Sequence, residues 1–347
     1  MGGEQIVLLK LLENIVKGHK KMSRKALIVG IDYYTDIKNL HGCVNDARNV
    51  CSVLETNENG DKNFGIKRLF ANDSTTQITK KLLKDSVEEL FKDKNDIALF
   101  YFAGHGYVES SGGYLLTSEC KDGDDGLSLD VILNYANKSE ANNKIIIIDA
   151  CQSGYAGKFM SIKESFIGEG VTILTACKEN QYASETDDNT GLFTSLMIDA
   201  LEGSASNLLG EITPGAVYAH IDKSLGEWEQ RPVFKTNVDT FTVLRHVNPP
   251  IDKCTLRKII DFFPEPEYIF PLDPSYEPER NGGEPEDFPK PNKAHNEIFA
   301  ILQKFNRLNL LIPVDAPHMW HAAINYKSCR LTNLGKFYHK LITKGLI

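Results

Sequence analysis

Apolar residues in this chain fall into short unbroken runs separated by amphipathic stretches. That pattern marks buried parallel strands alternating with crossover helices. Runs over residues 26–31, 96–102, 144–150 and 171–176 have the length and the β-branched or aromatic content of strands, and 232–244 reads as a last strand segment. Between them, residues 45–54, 75–91, 128–136 and 191–201 carry helical spacing, with Ser74 and Gln77 spaced as a capping box for the second. The run Gly112-Gly113-Tyr-Leu-Leu reads as a small hairpin and residues 121–126 as a loop. The alternation predicts an α/β fold with a doubly wound, mostly parallel sheet flanked by helices.

The two ends of the chain break this rhythm. Leu8, Leu11, Leu12, Ile15 and Val16 recur at helical spacing, so residues 1–22 are assigned to an amphipathic N-terminal helix that packs on the core or meets a partner. Lys10, Glu13 and Asn14 interrupt it, and its basic residues follow the apolar run, unlike a secretory signal. Residues 23–247 form the main domain. After Val247 the composition changes: residues 264–291 hold eight of the fourteen prolines and eight acidic residues against Arg280 and Lys290, a net −6. Such a stretch has little to bury, so 248–291 is assigned to an extended acidic linker. Residues 292–347, with six Lys, two Arg and two acids, carry a net +6 and read as a separate basic module. A helix over 297–310 buries Ile298, Ile301, Leu302 and Phe305, and Thr332 caps a last helix. The spacing Leu331-Thr-x-Leu-Gly-x-x-Tyr338 resembles the last helix of winged-helix domains, so the module is expected to be winged-helix-like.

Composition narrows the function classes. A net charge of −8 argues against general nucleic-acid binding, and no apolar run approaches the roughly 18 residues of a membrane span. The seven cysteines show neither disulfide-framework nor zinc spacing, which points to a reducing, cytoplasmic setting. His318, Trp320 and His321 have no third ligand nearby in sequence and read as packing residues. Lys327, Arg330, Lys336, Lys340 and Lys344 offer a basic face suited to recruiting a regulator or substrate, and nucleic acid is the less favoured partner.

Two strand runs carry the chemistry. The first ends Phe102-Ala-Gly-His-Gly106 and the second Asp149-Ala-Cys-Gln-Ser-Gly154, with His105 lying 46 residues before Cys151. Neighbouring parallel strands would bring both to one carboxyl edge, where open α/β sheets hold their sites. A thiolate beside an imidazole is the pairing that acyl transfer needs near neutral pH. The other cysteines, Cys43, Cys51, Cys120, Cys177, Cys254 and Cys329, read as packed thiols.

The His-Gly and Asp-Ala-Cys-Gln-Ser-Gly motifs in this order, with Ala26-Leu-Ile-Val-Gly-Ile-Asp-Tyr-Tyr34 and Leu40-His-Gly-Cys-Val-Asn-Asp-Ala47 before them, resemble the caspase-like peptidases. The metacaspase and bacterial caspase-like branch fits best, over about residues 26–244. The resemblance implies a cysteine endopeptidase with Cys151 as nucleophile, His105 as base, and the backbone N–H groups of Gly106 and Cys151 as oxyanion hole. It also implies that Asp46 and Asp149 wall an acidic S1 pocket for Arg or Lys, with Ala103 where some members carry a pocket serine. Animal caspases have glutamine in place of Asp149. No cofactor is implied; calcium activates parts of the branch, but Asp122, Asp124 and Asp125 lack the glutamate that would complete an EF-hand and read as a solvated loop. Lys158 and Lys163 would suit maturation cleavage, and a single-chain enzyme fits equally well. The branch includes bacterial cell-death and antiviral-defence proteases, a role no residue here specifies. Two alternatives stay open: a caspase-fold scaffold that binds nucleic acid or a partner through 292–347, and a peptidase with acidic P1 preference.

Overall fold

A computed structural model describes residues 23–109, 112–152, 166–176, 191–226, 232–279 and 285–347, with Cys151 and Gln152 described by backbone alone. The chain divides into two compact units, Met1–Pro249 and Pro250–Ile347. The N-terminal helix expected over 1–22, Cys177, and Lys158 and Lys163 lie outside the described residues.

In the first unit, β1 (Arg24–Ile31), β2 (Gly65–Ala71), β3 (Ile97–Glu109), β4 (Gly112–Leu115), β5 (Leu127–Ser128), β6 (Asn143–Gln152), β7 (Val171–Thr175), β8 (Glu211–Ile212), β9 (Val233–Asn237) and β10 (Arg245–His246) alternate with helices. The central sheet has the order β2-β1-β3-β6-β7-β9; its first five strands are parallel and β9 runs antiparallel to β7. One apolar layer, including Phe100, Phe102, Ile146, Ile148 and Ala150, packs on the helices Lys80–Lys92 and Leu129–Lys138. Side chains of the opposite face, including Leu99, Tyr101, Ala103, Ile145 and Ile147, meet the helices Cys43–Glu55, Leu192–Asp199 and Pro214–Ser224. The mostly parallel sheet flanked by helices is the architecture that the strand-helix alternation predicts.

Three local departures have physical causes. The helix expected from residue 75 begins at Lys80, with the Thr79 hydroxyl accepting from the Leu82 N–H, because Asp73 Oδ1 accepts from the Thr75 N–H and hydroxyl and holds a turn there. β2 was not expected, since Lys67 and Arg68 interrupt its apolar residues; as an edge strand it is largely exposed. β3 continues through the residues read as a turn: Ala103 to Gly106 pair with Asp149 to Gln152 of β6, and Gly106 to Glu109 pair with β4. Small residues here end the apolar run without ending the ladder.

The second unit corrects the linker assignment. The helices Lys253–Arg257 and Ile259–Phe262 and strand β11 (Ile269–Pro271) lie inside it, followed by the helix Lys293–Arg307, β12 (Leu311–Val314), the helix Met319–Ile324, β13 (Ser328–Leu331) and the helix Asn333–Thr343. β11 pairs with β13, whose other edge carries β12. Phe263 and Leu272 from the assigned linker are buried, as are Phe299, Leu302 and Phe305 of the basic module. Lys336 Nζ lies 2.6 Å from both carboxylate oxygens of Glu267. The described residues of the acidic segment thus pack with the basic module through the few apolar side chains they carry. A helix joins β12 to β13, and Thr332 is the N-cap of the last helix as expected.

Candidate active site

His105 and Cys151 are direct register partners on the adjacent parallel strands β3 and β6, near the carboxyl end of the sheet. His105 is 6% exposed. Three groups from the segment after β1 hold it: the Tyr34 hydroxyl accepts the His105 backbone N–H at 2.8 Å, the Tyr34 ring tilts against the imidazole at 4.8 Å, and the Lys38 carbonyl lies 2.8 Å from Nε2. A carbonyl only accepts, so Nε2 carries the proton and Nδ1 keeps the lone pair. Nδ1 has no hydrogen-bond partner among the described residues. Burial pulls the imidazole below its ordinary value, outweighing the opposing effect of the Lys38 carbonyl, and so favours the neutral ring.

Asp149 lies two positions before Cys151 and in register with Ala103; Asp46 lies in the first turn of the helix Cys43–Glu55. Both carboxylates are buried, 5% and 4% exposed. They converge beside Gly191, where a Cβ would stand 3.1 Å from Oδ2 of each. The Gly191 N–H donates to both oxygens of Asp46 at 3.2 Å, and the Thr194 hydroxyl donates to Asp149 Oδ2 at 2.7 Å. Two buried carboxylates around one small volume repel each other and create a strong local demand for a cation. Part of that demand is met by the amino end of the helix Leu192–Asp199, which opens at Gly191.

The structure therefore brings His105, Gly106 and the Cys151 backbone together on one ladder, with Ala103 and Asp149 two positions down and Asp46 reaching the same pocket from the first helix. Sequence reasoning missed Tyr34, the Lys38 carbonyl, Tyr101, Gly191 and Thr194, which act through contacts between residues far apart in the chain.

Other candidates read differently in three dimensions. Asp125 Oδ2 accepts from the backbone N–H groups of Lys121 and Asp122 in a tight turn. No group of three or more His, Cys, Asp or Glu suited to a metal occurs among the described residues. The buried thiols Cys51 and Cys329 are pushed up to about 11 and about 12 by burial, which makes them poor nucleophiles. Cys254, read as packed, is exposed. Among the described residues no helix is long and apolar enough to cross a membrane.

Metacaspase-1 of Botryotinia fuckeliana is 28% identical over 211 residues, covering 54% of this chain and 46% of the relative. Metacaspase-1 of Sclerotinia sclerotiorum is likewise 28% identical over 211 residues, covering 54% and 45%. The chain thus spans a little under half the length of these relatives. Among solved structures, that of pro-sf-caspase-1 aligns over 65% of this chain and 91% of its own, at 12% identity and a TM-score of 0.46. A family model described as the caspase domain matches residues 23–241, most of the first unit and well over half of the sequence. The chain belongs to the caspase-domain family of peptidases, with metacaspases among its relatives.

Proposed function

We propose that this protein is a cysteine endopeptidase that cleaves protein substrates after Arg or Lys. The observation that carries the reading is the convergence of Asp46 and Asp149 beside Gly191, next to a ladder in which His105 and Cys151 are register partners. His105 Nδ1 takes the Cys151 thiol proton, and the thiolate attacks the carbonyl carbon of the scissile bond. The N–H groups of Gly106 and Cys151 receive the developing oxyanion. Imidazolium then protonates the leaving amine, and water, activated by the same imidazole, hydrolyses the thioester. This chemistry requires no cofactor.

Specificity follows from charge. A guanidinium or ammonium between two buried carboxylates forms charge-assisted hydrogen bonds, whereas an aspartate there adds a third buried negative charge. The protein acts in the cytoplasm, and the basic face of the second unit serves to recruit a substrate or regulator.

Fluorogenic peptides ending in Arg, Lys or Asp test the reading. Arg and Lys peptides are turned over, Asp peptides are not, and Cys151→Ala reduces turnover to background. Activity that survives Cys151→Ala, or an Asp preference, overturns it. Complete inactivity of the wild type across activators would favour a scaffold.

A further inference from the structure

The helix Leu192–Asp199 does more than close one side of the sheet. Its first turn supplies a donor to each pocket carboxylate: the Gly191 N–H to Asp46 and, three residues on, the Thr194 hydroxyl to Asp149. A hydroxyl has one proton, and that of Thr194 is committed to Asp149 Oδ2. The 2.7 Å contact between Thr194 Oγ1 and Tyr101 Oη therefore has Tyr101 donating. Tyr101 lies on β3 four positions before His105, and both Tyr101 and Thr194 are fully buried. The result is a directed chain in which Tyr101 O–H polarises Thr194 O–H toward Asp149, each bond strengthening the next in a dry environment. Desolvation, with the charges of Asp149 and then Asp46, raises Tyr101 well above the ordinary phenol value and keeps it a donor.

We propose that Thr194, backed by Tyr101, is a positioning residue that sets the strength of basic-residue recognition by fixing Asp149 in one orientation toward the pocket. The proposal rests on the Arg/Lys reading of that pocket. A buried carboxylate deprived of a hydroxyl donor turns toward other donors, and a substrate cation then meets it at a worse distance and angle. Ala103, the register partner of Asp149, has only a methyl and can offer the carboxylate no hydrogen bond, so the hydroxyl donor comes from the helix. The pocket is thereby tied to the first turn of Leu192–Asp199, and any shift of that turn moves the donors of both carboxylates together.

The test compares full-length wild type with Thr194→Val, Thr194→Ser and Tyr101→Phe on matched arginine and citrulline peptides. Thr194→Val keeps the side-chain shape and deletes the hydroxyl. Its KM for the arginine peptide is expected to rise about ten- to hundredfold with kcat changed much less, and its preference for arginine over citrulline to narrow by a similar factor. Thr194→Ser restores the preference, and Tyr101→Phe loses it by severalfold. A merely structural threonine would lower kcat on both peptides together and would not be rescued by serine. A Thr194→Val enzyme whose arginine-to-citrulline ratio stays within twofold of wild type overturns the proposal. If wild type cleaves neither Arg nor Lys peptides, the specificity reading fails, and a crystal structure of Thr194→Val decides the positioning claim separately. An Asp149 carboxylate turned out of its wild-type orientation supports it, and an unmoved one refutes it.

Discussion

At the residue scale, His105 and Gly191 carry the sharpest consequences. Because the Lys38 carbonyl accepts a hydrogen bond from Nε2–H, the ring presents Nδ1 as its basic atom, and because it is buried it resists protonation. The neutral base therefore persists below pH 6.5, the ordinary imidazole value, and the acidic limb of kcat/KM is expected to fall below that pH. The same depression ties stability to pH. The contribution of His105 is fully present above about pH 6.5 and is lost as pH falls through its folded value, since the unfolded chain takes up the proton more readily. A pH-rate profile and thermal melts from pH 8 to 5 would measure both, and a limb above 6.5 would contradict the assignment of His105 as buried base. Gly191 has an extended backbone, with φ −66° and ψ 136°, so alanine is conformationally acceptable there. Its methyl would nonetheless occupy the point 3.1 Å from both carboxylates. Gly191→Ala should therefore fold normally, by circular dichroism, and lose at least about tenfold in kcat/KM on Arg peptides through KM. Glycine at this position was not legible in the sequence, because what it leaves room for comes from two other elements.

Elements explain which parts of the site could be read in advance. The strands bearing His105 and Cys151 are legible because both are buried on two faces and so appear as unbroken apolar runs, and their register follows once they are neighbours. Edge strand β2 and the polar connection from Asp32 to Gly42 leave no such trace. That connection is tied at both ends. The Asp32 carboxylate accepts from the Cys43 and Val44 N–H groups at 2.9 and 3.4 Å, capping the helix that carries Asp46, and its backbone carbonyl accepts from Leu40. Between these anchors lie Tyr34 and Lys38, the groups that hold His105. Asp32→Ala removes the cap at a cost of about 1–2 kcal/mol, so the melting temperature should fall by a few degrees. Loosening the Lys38 carbonyl should lower kcat more than it raises KM. A kcat unchanged in a variant with the expected loss of stability would show that the connection holds the helix alone and not the histidine.

On the scale of the whole molecule, charge organises the second unit in a way that composition alone conceals. Residues 264–291 carry a net −6 and residues 292–347 a net +6, so the charges of these two segments cancel. Taken one segment at a time, the sequence shows a proline-rich acidic stretch with too little apolar content to order and a basic module complete in itself. The fold shows each depending on the other. β13 would be an open edge without β11, and Phe262, Phe263, Phe270 and Tyr276 from the amino-terminal side make ring contacts that run through Phe270 and reach Phe299 and Phe305. Ser275 Oγ meets His295 Nδ1 at 2.6 Å, and Asn296 donates to the carbonyls of Ser275 and Tyr276, closing the connection with directional bonds. A polypeptide of residues 292–347 should therefore lack a cooperative thermal transition, because it loses a strand and an aromatic layer. One of residues 250–347 should show a transition, shifted down at high salt as the Lys336–Glu267 pair and its like are screened. Cooperative unfolding of the shorter polypeptide would mean that the acidic stretch is carried by the module without being needed for it.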